Sequence, residues 1–290
     1  MRETDWVDRI VCAAALAWAD DGEVLATGIG AVPRLAASLA MLTVNTELMM
    51  TDSEAWLVRE PVPLGPRGSD EPKRETWMGF SRIFDNVWGG KRHAMVGPTQ
   101  IDRHGQANIS MVGPDYRKPR AQMLGVRGFP GNSINHANSF FVPNHSPKVF
   151  VAGEVDMVAS AGYNAARLPR GWSFDDIDLR LIVTNLCVMD FGGPNRQVRI
   201  VSLHPGVSAQ QVQEATGFAL HIPDAIPETA APTDEQLALL VQDLVRHQGS
   251  SPRGGLGGSS PPESRSTRFR TLPDGLRGSA SRNSTRRGTL

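Results

Sequence analysis

The fold of this chain is set by the stretch Glu23-Val24-Leu25-Ala26-Thr27-Gly28-Ile29-Gly30-Ala31-Val32-Pro33. Glu23 to Thr27 has the length and composition of a short buried strand, and two glycines supply a tight turn after it. Pro33 is favoured in the first turn of a helix, which we expect to run to about Met41. Strand, tight turn and helix in this order begin an α/β layer architecture.

The same turn is a candidate ligand site. Gly28 and Gly30 stand at a strand-to-helix turn, where a ligand can approach the backbone amides of a helix N-terminus. A dinucleotide site is disfavoured, because Pro33 replaces the third glycine of the G-x-G-x-x-G pattern and no acidic residue follows the next strand. The amides could instead face a thioester carbonyl or another anion.

The remaining pattern predicts a strand-rich middle between helices. Trp6, Ile10, Ala14 and Trp18 recur at four-residue spacing and predict a helix over residues 4–20. Capping boxes predict two late helices, one from Ser208 to Gly217 and one from Thr233 to about His247. Short apolar runs between Gly, Pro and Asn residues predict strands at 48–51, 94–97, 108–112, 122–126, 140–142, 149–152, 179–183, 187–191 and 197–203.

Composition separates a folded body from a basic tail. The 290 residues have 40% hydrophobic content, which is enough for an ordinary core. The net charge of the whole chain is zero. Residues 249–290 contain eight Arg against Glu263 and Asp274, so this tail is about +6 and the rest is about −6. The tail has no Ile, Val or Met, which predicts a disordered extension after a folded domain at 1–248.

The cysteine count and the apolar runs indicate a cytoplasmic protein. Cys12 and Cys187 are far apart and form no Cys-x-x-Cys pattern, so neither a zinc site nor a dithiol is expected. The N-terminus lacks the apolar core of a signal peptide, and no run approaches the roughly 18 apolar residues of a membrane span. Without aromatic residues interleaved among its arginines, apart from Phe269, the tail does not favour nucleic-acid binding.

Two carboxylates are candidates for catalysis. Asp52 follows the apolar run Leu48-Met49-Met50-Thr51 and opens a polar turn, a position where α/β enzymes carry catalytic carboxylates. Glu54 follows two residues later on the same turn, and the pattern does not decide between them. A solvated turn residue or a helix cap is the structural alternative for either one.

Three segments together resemble the β subunit of class I CoA-transferases. They are Leu25 to Gly30, the turn around Asp52, and Gly97-Pro98-Thr99-Gln100-Ile101-Asp102-Arg103-His104-Gly105-Gln106-Ala107-Asn108. The resemblance covers roughly residues 3–247. It implies an open three-layer α/β domain with a mixed sheet and a nucleophilic glutamate at the position of Asp52. A carboxylate shortened by one methylene puts a thioester-forming nucleophile in doubt.

A second glycine-rich loop occupies Gly125 to His136. In the family the corresponding loop has small residues and lines the acyl-CoA site, which implies substrate contacts for Gly128, Gly131, Asn132 and His136. Arg127 replaces a small residue there and could supply a fixed positive charge for an enolate or a carboxylate.

The Thr-Asp-x-Glu-Ala turn and the altered glycine loop are together most similar to those of the β subunits of actinobacterial steroid-ring hydrolases. The resemblance implies hydrolytic opening of a steroid ring in an acyl-CoA thioester, at an active site shared with a homologous α subunit. No metal is expected, and no cofactor beyond the CoA of the substrate. A plain CoA-transferase and a non-catalytic ligand-binding module remain as alternatives.

Overall fold

The computed structural model describes residues 6–52, 55–62, 64, 73–125 and 128–240. The predicted tail at 249–290, Glu54 and Arg127 lie outside these residues. In the described part the helices are Trp6–Ala15 (α1), Ala31–Leu42 (α2), Gly79–Trp88 (α3), Phe129–Asn135 (α4), Ala209–Glu214 (α5) and Asp234–Leu239 (α6).

The strands are short and numerous. They are Leu25–Gly28 (β1), Met50–Thr51 (β2), Trp56–Val58 (β3), Arg74–Trp77 (β4), Arg92–Val96 (β5), Gln100–Ile101 (β6), Ala107–Asn108 (β7), Met111–Val112 (β8), Ala121–Gln122 (β9), Ala137–Val142 (β10), Leu179–Thr184 (β11), Cys187–Asp190 (β12) and Arg199–Leu203 (β13).

A six-stranded mixed sheet organises the molecule, in the order β1-β5-β10-β11-β12-β13. The first four strands are parallel, and β12 and β13 continue the sheet as an antiparallel meander. Strands β2, β3 and β4 form a smaller antiparallel sheet. This confirms the predicted α/β fold with a mixed sheet.

Two cores lie on opposite faces of the large sheet, because successive strand residues point to opposite sides. On β5, Met95 joins the core beneath α1 and α2, whereas Ala94 and Val96 join the second core. The second core contains Phe150, from the long segment after β10, and Val212 of α5. Helices, sheet and this outer segment make up the three layers.

Several predicted elements differ from the observed ones. The first helix becomes a 3-10 turn at Leu16–Trp18, and the helix after Ser208 ends at Glu214 rather than Gly217. The predicted strand at 149–152 is only a single bridge between Phe150 and Ile101. Helix α3 was not predicted, and α4 occupies part of the predicted glycine loop.

The last helix is described only from Asp234 to Leu239, so its predicted continuation to about His247 lies outside the described residues. No helix in the described part is both long and apolar enough to cross a membrane.

Candidate active site

A pocket of about 390 Å³ lies at the carboxyl edge of the parallel strands β1 and β5. Such edges are where open α/β sheets bind ligands, since loops diverge there. It is lined by Ile29, Val96, Gly97, Thr99, Ile109, Met123, Gly125, Gly128, Phe129 and Asn132. The structure therefore brings both glycine loops and the Gly97-Pro98-Thr99 segment to one place, which we call the glycine pocket.

The first glycine turn is shaped by helix packing. A Cβ atom on Gly28 would lie 2.2 Å from the carbonyl oxygen of Pro33, so α2 can pack on β1 only over a glycine. Gly30 has φ of +108°, a conformation that L-residues rarely adopt. Neither glycine lines the pocket, but Ile29 between them does, with 52% of its surface exposed.

The second glycine loop contacts the pocket directly. Gly128 precedes α4, and a Cβ atom placed on it would meet no atom within 4 Å. Asn132, one turn later, lines the same pocket. Gly131 is directed elsewhere, since its Cβ position lies 3.7 Å from the Trp88 ring.

The segment from Thr99 to Asn108 forms a buried support for the pocket. The carbonyl oxygen of Asn108 accepts hydrogen bonds from the backbone N–H and the hydroxyl of Thr99, each at 2.8 Å. The Asn108 side chain donates to Gln100 Oε1 at 2.7 Å. Buried polar groups that are paired in this way fix one loop geometry, so the hairpin holds Thr99 at the pocket wall.

Asp52 lies outside the pocket lining, in the turn between β2 and β3. Its side chain is 0% exposed, and its Oδ2 lies 3.6 Å from Nε of Arg74. Its Oδ1 accepts a hydrogen bond from the backbone N–H of Trp56 at 2.9 Å. Arg74 also stacks over the Trp56 ring, 5.2 Å from its centroid. The observed contacts of Asp52 are those of a buried, ion-paired turn residue.

His136 lies at the opposite edge of the sheet from the glycine pocket. It directly precedes β10, and it lines a second pocket of about 320 Å³ together with Arg92 and Asp178. Its Nδ1 donates to the carbonyl oxygen of Ala137 at 2.9 Å, and burial lowers its pKa to about 4. The structure therefore does not bring His136 together with Gly128 and Asn132.

Asp102 is among the buried titratable residues that were not singled out from the sequence. Asp102 follows β6 and is 2% exposed, and it accepts hydrogen bonds from the backbone N–H groups of His104 and Gln106. Burial outweighs these bonds and raises the pKa of the carboxyl to about 7. It lines a small separate cavity of about 150 Å³ rather than the glycine pocket. Nothing local in the sequence indicated this degree of burial.

The described residues of the glycine pocket include no His, Asp, Glu, Lys or Arg. It offers apolar surface from Ile29, Ile109 and Phe129, with polar groups from Thr99 and Asn132. Such a lining can bind and orient an apolar substrate. It supplies no general base from the described part of this chain.

Comparison with known proteins places the chain in a family. It matches no protein-family model. It is 43% identical over 233 residues to the cholesterol ring-cleaving hydrolase IpdB subunit of Mycobacterium tuberculosis, covering 79% of this chain and 91% of that protein. The chain belongs to the IpdB family. A more distant relative is a subunit of the 3-oxoadipate CoA-transferase of Pseudomonas knackmussii, 29% identical over 76% of this chain and 86% of that one.

Solved structures agree with this assignment. The crystal structure of Rhodococcus jostii RHA1 IpdAB matches with a TM-score of 0.76 and 37% identity, over 84% of this chain and 95% of that chain. Glutaconate coenzyme A-transferase from Acidaminococcus fermentans shares the fold, with a TM-score of 0.69 at 19% identity over 86% and 99% of the chains. The predicted family and its CoA-transferase-like fold are confirmed.

Proposed function

We propose that this chain is the β subunit of a heteromeric hydrolase that acts on an acyl-CoA thioester. Its reaction would open a steroid-derived ring by hydrolysing a carbon–carbon bond of a cyclic β-diketone. The observation that carries the proposal is the 43% identity to a cholesterol ring-cleaving hydrolase subunit over 91% of that protein. The apolar pocket supports it, since a steroid fragment has mainly carbon surface to bury.

The chemistry requires a base and a stabilised enolate. A base removes a proton from water while the oxygen attacks one carbonyl carbon of the β-diketone. The bond between that carbon and the central carbon then breaks, and its electron pair forms an enolate on the second carbonyl. Protonation of the central carbon gives a ketone and a carboxylic acid, with CoA still attached. We assign enolate stabilisation to Arg127, which lies outside the described residues, with Asn132 orienting the ring.

The position of Asp52 favours water over a covalent intermediate. A CoA-transferase of this family needs a carboxylate that can attack a thioester carbonyl. The Asp52 carboxylate is 0% exposed, bonded to a backbone amide and paired with Arg74. Attack from this position would require the turn to open and Arg74 to lose its partner. The similarity to a 3-oxoadipate CoA-transferase makes acyl transfer the second candidate function.

We further infer that a homologous α subunit completes the site. The described lining of the glycine pocket has no ionisable side chain, so a base must come from elsewhere. The name of the solved relative, IpdAB, denotes two kinds of subunit, which supports the same organisation here. We also place the complex in the cytoplasm, where the two buried free cysteines of this chain would stay reduced.

The test is an assay of the purified complex of this chain with its α subunit, using the CoA thioester of a cyclic β-diketone. We expect turnover without any acceptor carboxylic acid, and we expect activity to survive hydroxylamine added together with the substrate. Hydroxylamine traps enzyme-bound thioesters, so a transferase would be inactivated. An absolute requirement for an acceptor acid would identify a CoA-transferase and contradict the hydrolase. If none of the thioesters tested reacts, a non-catalytic binding module is favoured.

A further inference from the structure

A two-stranded hairpin beside the glycine pocket carries three exposed cations. Strands β8 and β9 pair antiparallel, and residues 113–120 form the turn that joins them. Arg117, Lys118 and Arg120 are exposed in this turn. Asp115 is the one acidic residue of the turn. None of the three cations has an ion pair with another described residue. We call β8, β9 and this turn the basic hairpin.

Hydrogen bonds and prolines constrain the turn of the basic hairpin. Gly113 has φ of +126°, and its N–H donates to Asp156 Oδ2 at 2.7 Å. The Arg120 N–H donates to a carbonyl oxygen of β8 at 2.8 Å and closes the base of the turn. Pro114 and Pro119 restrict the backbone on either side of the tip. Cations that are already held close together lose less conformational freedom when they bind one anion.

Both ends of the basic hairpin continue into the wall of the glycine pocket. Ile109 comes shortly before β8 and Met123 directly after β9, and both line the pocket. The Met123 N–H donates to the carbonyl oxygen of Ser110 at 2.6 Å, which extends the strand pairing to the pocket wall. Leu124, between the lining residues Met123 and Gly125, exposes 73% of its surface. An exposed apolar side chain therefore lies where the pocket and the hairpin join.

The chemistry of the hairpin tip matches the nucleotide end of coenzyme A. That end carries a diphosphate, a ribose 3′-phosphate and an adenine ring, and the flexible pantetheine arm separates it from the thioester. Guanidinium and ammonium groups bind phosphate oxygens through charge-assisted hydrogen bonds. Tyr116 exposes 71% of its surface at the tip, and an aromatic ring can stack on a base. Six residues lead from Ser110 to Tyr116, so the tip lies within about 20 Å of the pocket wall.

The charge of the folded body makes a local group of cations necessary for such a ligand. Residues 1–248 have a net charge of about −6, and CoA is itself an anion with several charges. The described lining of the glycine pocket has no ionisable side chain. The positive charge that attracts CoA must therefore lie outside this lining, and close to it, because salt screens charges beyond about 10 Å.

We propose that the basic hairpin binds the phosphates of the substrate's CoA group while the glycine pocket holds the acyl group. This inference rests on the proposed function and identifies the residues of this chain that recognise CoA. The structural alternative is a solvated turn with no ligand. The two differ in one respect, since only a phosphate-binding hairpin distinguishes a CoA thioester from the same thioester without its nucleotide.

The experiment gives two substrates to the complex of this chain with its α subunit. One is the CoA thioester of a cyclic β-diketone, and the other is the matching pantetheine thioester, which lacks the nucleotide. The triple variant is Arg117→Gln with Lys118→Gln and Arg120→Gln. We expect its KM for the CoA thioester to rise at least about tenfold, with kcat within about twofold, because the lost contacts are remote from the reacting bond. Its KM for the pantetheine thioester should not change.

Two controls separate recognition from folding and from general charge effects. The backbone hydrogen bonds of the turn remain in the triple variant, so its melting temperature should not change. Arg120→Gln and Arg170→Gln form a matched pair, because each removes one exposed cation and Arg170 lies in the segment before β11. Only Arg120→Gln should raise KM for the CoA thioester.

A binding measurement that needs no turnover completes the test. Adenosine 3′,5′-bisphosphate should bind the complex in calorimetry, and the triple variant should weaken this binding at least about tenfold. An equal rise in KM for both thioesters, no rise for either, or equal effects of Arg120→Gln and Arg170→Gln would overturn the inference. If the bisphosphate binds through the hairpin but no ring opens, the inference stands and the proposed function falls. If the triple variant opens the ring with unchanged KM, the reverse holds.

Discussion

The two glycine turns look alike in sequence but differ in what the missing side chain allows. At Gly28 a Cβ atom would lie 2.2 Å from the backbone of α2, whereas at Gly128 it would meet nothing within 4 Å. The first glycine lets a helix pack on a strand, and the second leaves space beside a pocket. Glycine at a strand-to-helix turn therefore does not by itself indicate a ligand. At Gly128 it is the adjoining pocket, together with the open Cβ position, that points to a ligand.

Gly28→Ala should have the largest effect on stability. The added methyl group meets the carbonyl oxygen of Pro33, which is helix backbone and cannot rotate away. We expect the free energy of unfolding to fall by at least about 3 kcal/mol, measured by urea denaturation. A change below about 0.5 kcal/mol would mean that α2 moves freely, and the comparison between the two turns would fail.

Asp52→Asn tests whether the Asp52 carboxylate is structural or catalytic. The amide keeps an acceptor for the Trp56 N–H but removes the charge facing Arg74. We expect a loss of about 1–3 kcal/mol in unfolding free energy, with activity of the complex falling only partially. Full folding stability together with complete loss of turnover would instead identify Asp52 as a catalytic group.

Asp190→Asn is the matched control for that variant. Asp190 is paired with Arg199, and both side chains remain partly exposed at 23% and 36%. An exposed pair contributes about 0–1 kcal/mol. The control should therefore change unfolding free energy less than Asp52→Asn does.

His136→Gln should change the pH dependence of stability rather than catalysis. Burial lowers the folded-state pKa of His136 to about 4, against an ordinary value of 6.5. Between these values the unfolded chain takes up the proton first, so native stability falls as pH falls from 6.5 towards 4. Removing this group should lessen the loss between pH 7 and pH 5 by about 2 kcal/mol.

Urea denaturation of both forms at these two pH values measures the difference. Because His136 lies at the opposite edge from the glycine pocket, turnover of the complex at pH 7 should stay within about twofold. An identical pH dependence in both forms would contradict the assigned burial effect. A large loss of turnover at pH 7 with normal folding would show that His136 contributes to the active site.

Gly128→Ala should have the smallest effect on stability and a visible effect on substrate binding. Gly128 has φ of −136°, which any residue adopts, and open space around its Cβ position. We expect unfolding free energy to change by less than about 0.5 kcal/mol. The methyl group projects beside the pocket, so KM should rise while the complex still assembles. Unchanged KM would show that substrate does not approach Gly128.

Local sequence predicted the parts of the fold that local physics decides. The β1 turn, α2 and the β11 to β13 meander follow from short apolar runs, glycines and Pro33, and all three were found near the predicted positions. Helix α3 was missed although Phe80, Phe84 and Trp88 have helical spacing. Their apolar side faces outward, so they did not mark a buried segment in a strand-rich region.

The candidate site was only partly predictable for the same reason. Gly128 and Asn132, predicted as substrate contacts, both line the glycine pocket, and substrate binding there stays a prediction. Which edge of the sheet receives His136 depends on α4 crossing from one edge to the other, and no short pattern records that crossing. Burial of Asp52 depends on Arg74, which is contributed by a strand more than twenty residues away.

The most direct test of the central claim is the fate of water oxygen during turnover. The complex of this chain and its α subunit is supplied with the CoA thioester of a cyclic β-diketone in H₂¹⁸O, without an acceptor acid, and the product is analysed by mass spectrometry. We predict a ring-opened product that retains CoA and carries one ¹⁸O in its new carboxylate. Release of free CoA with the ring intact, or no reaction until an acceptor acid is added, would contradict the account.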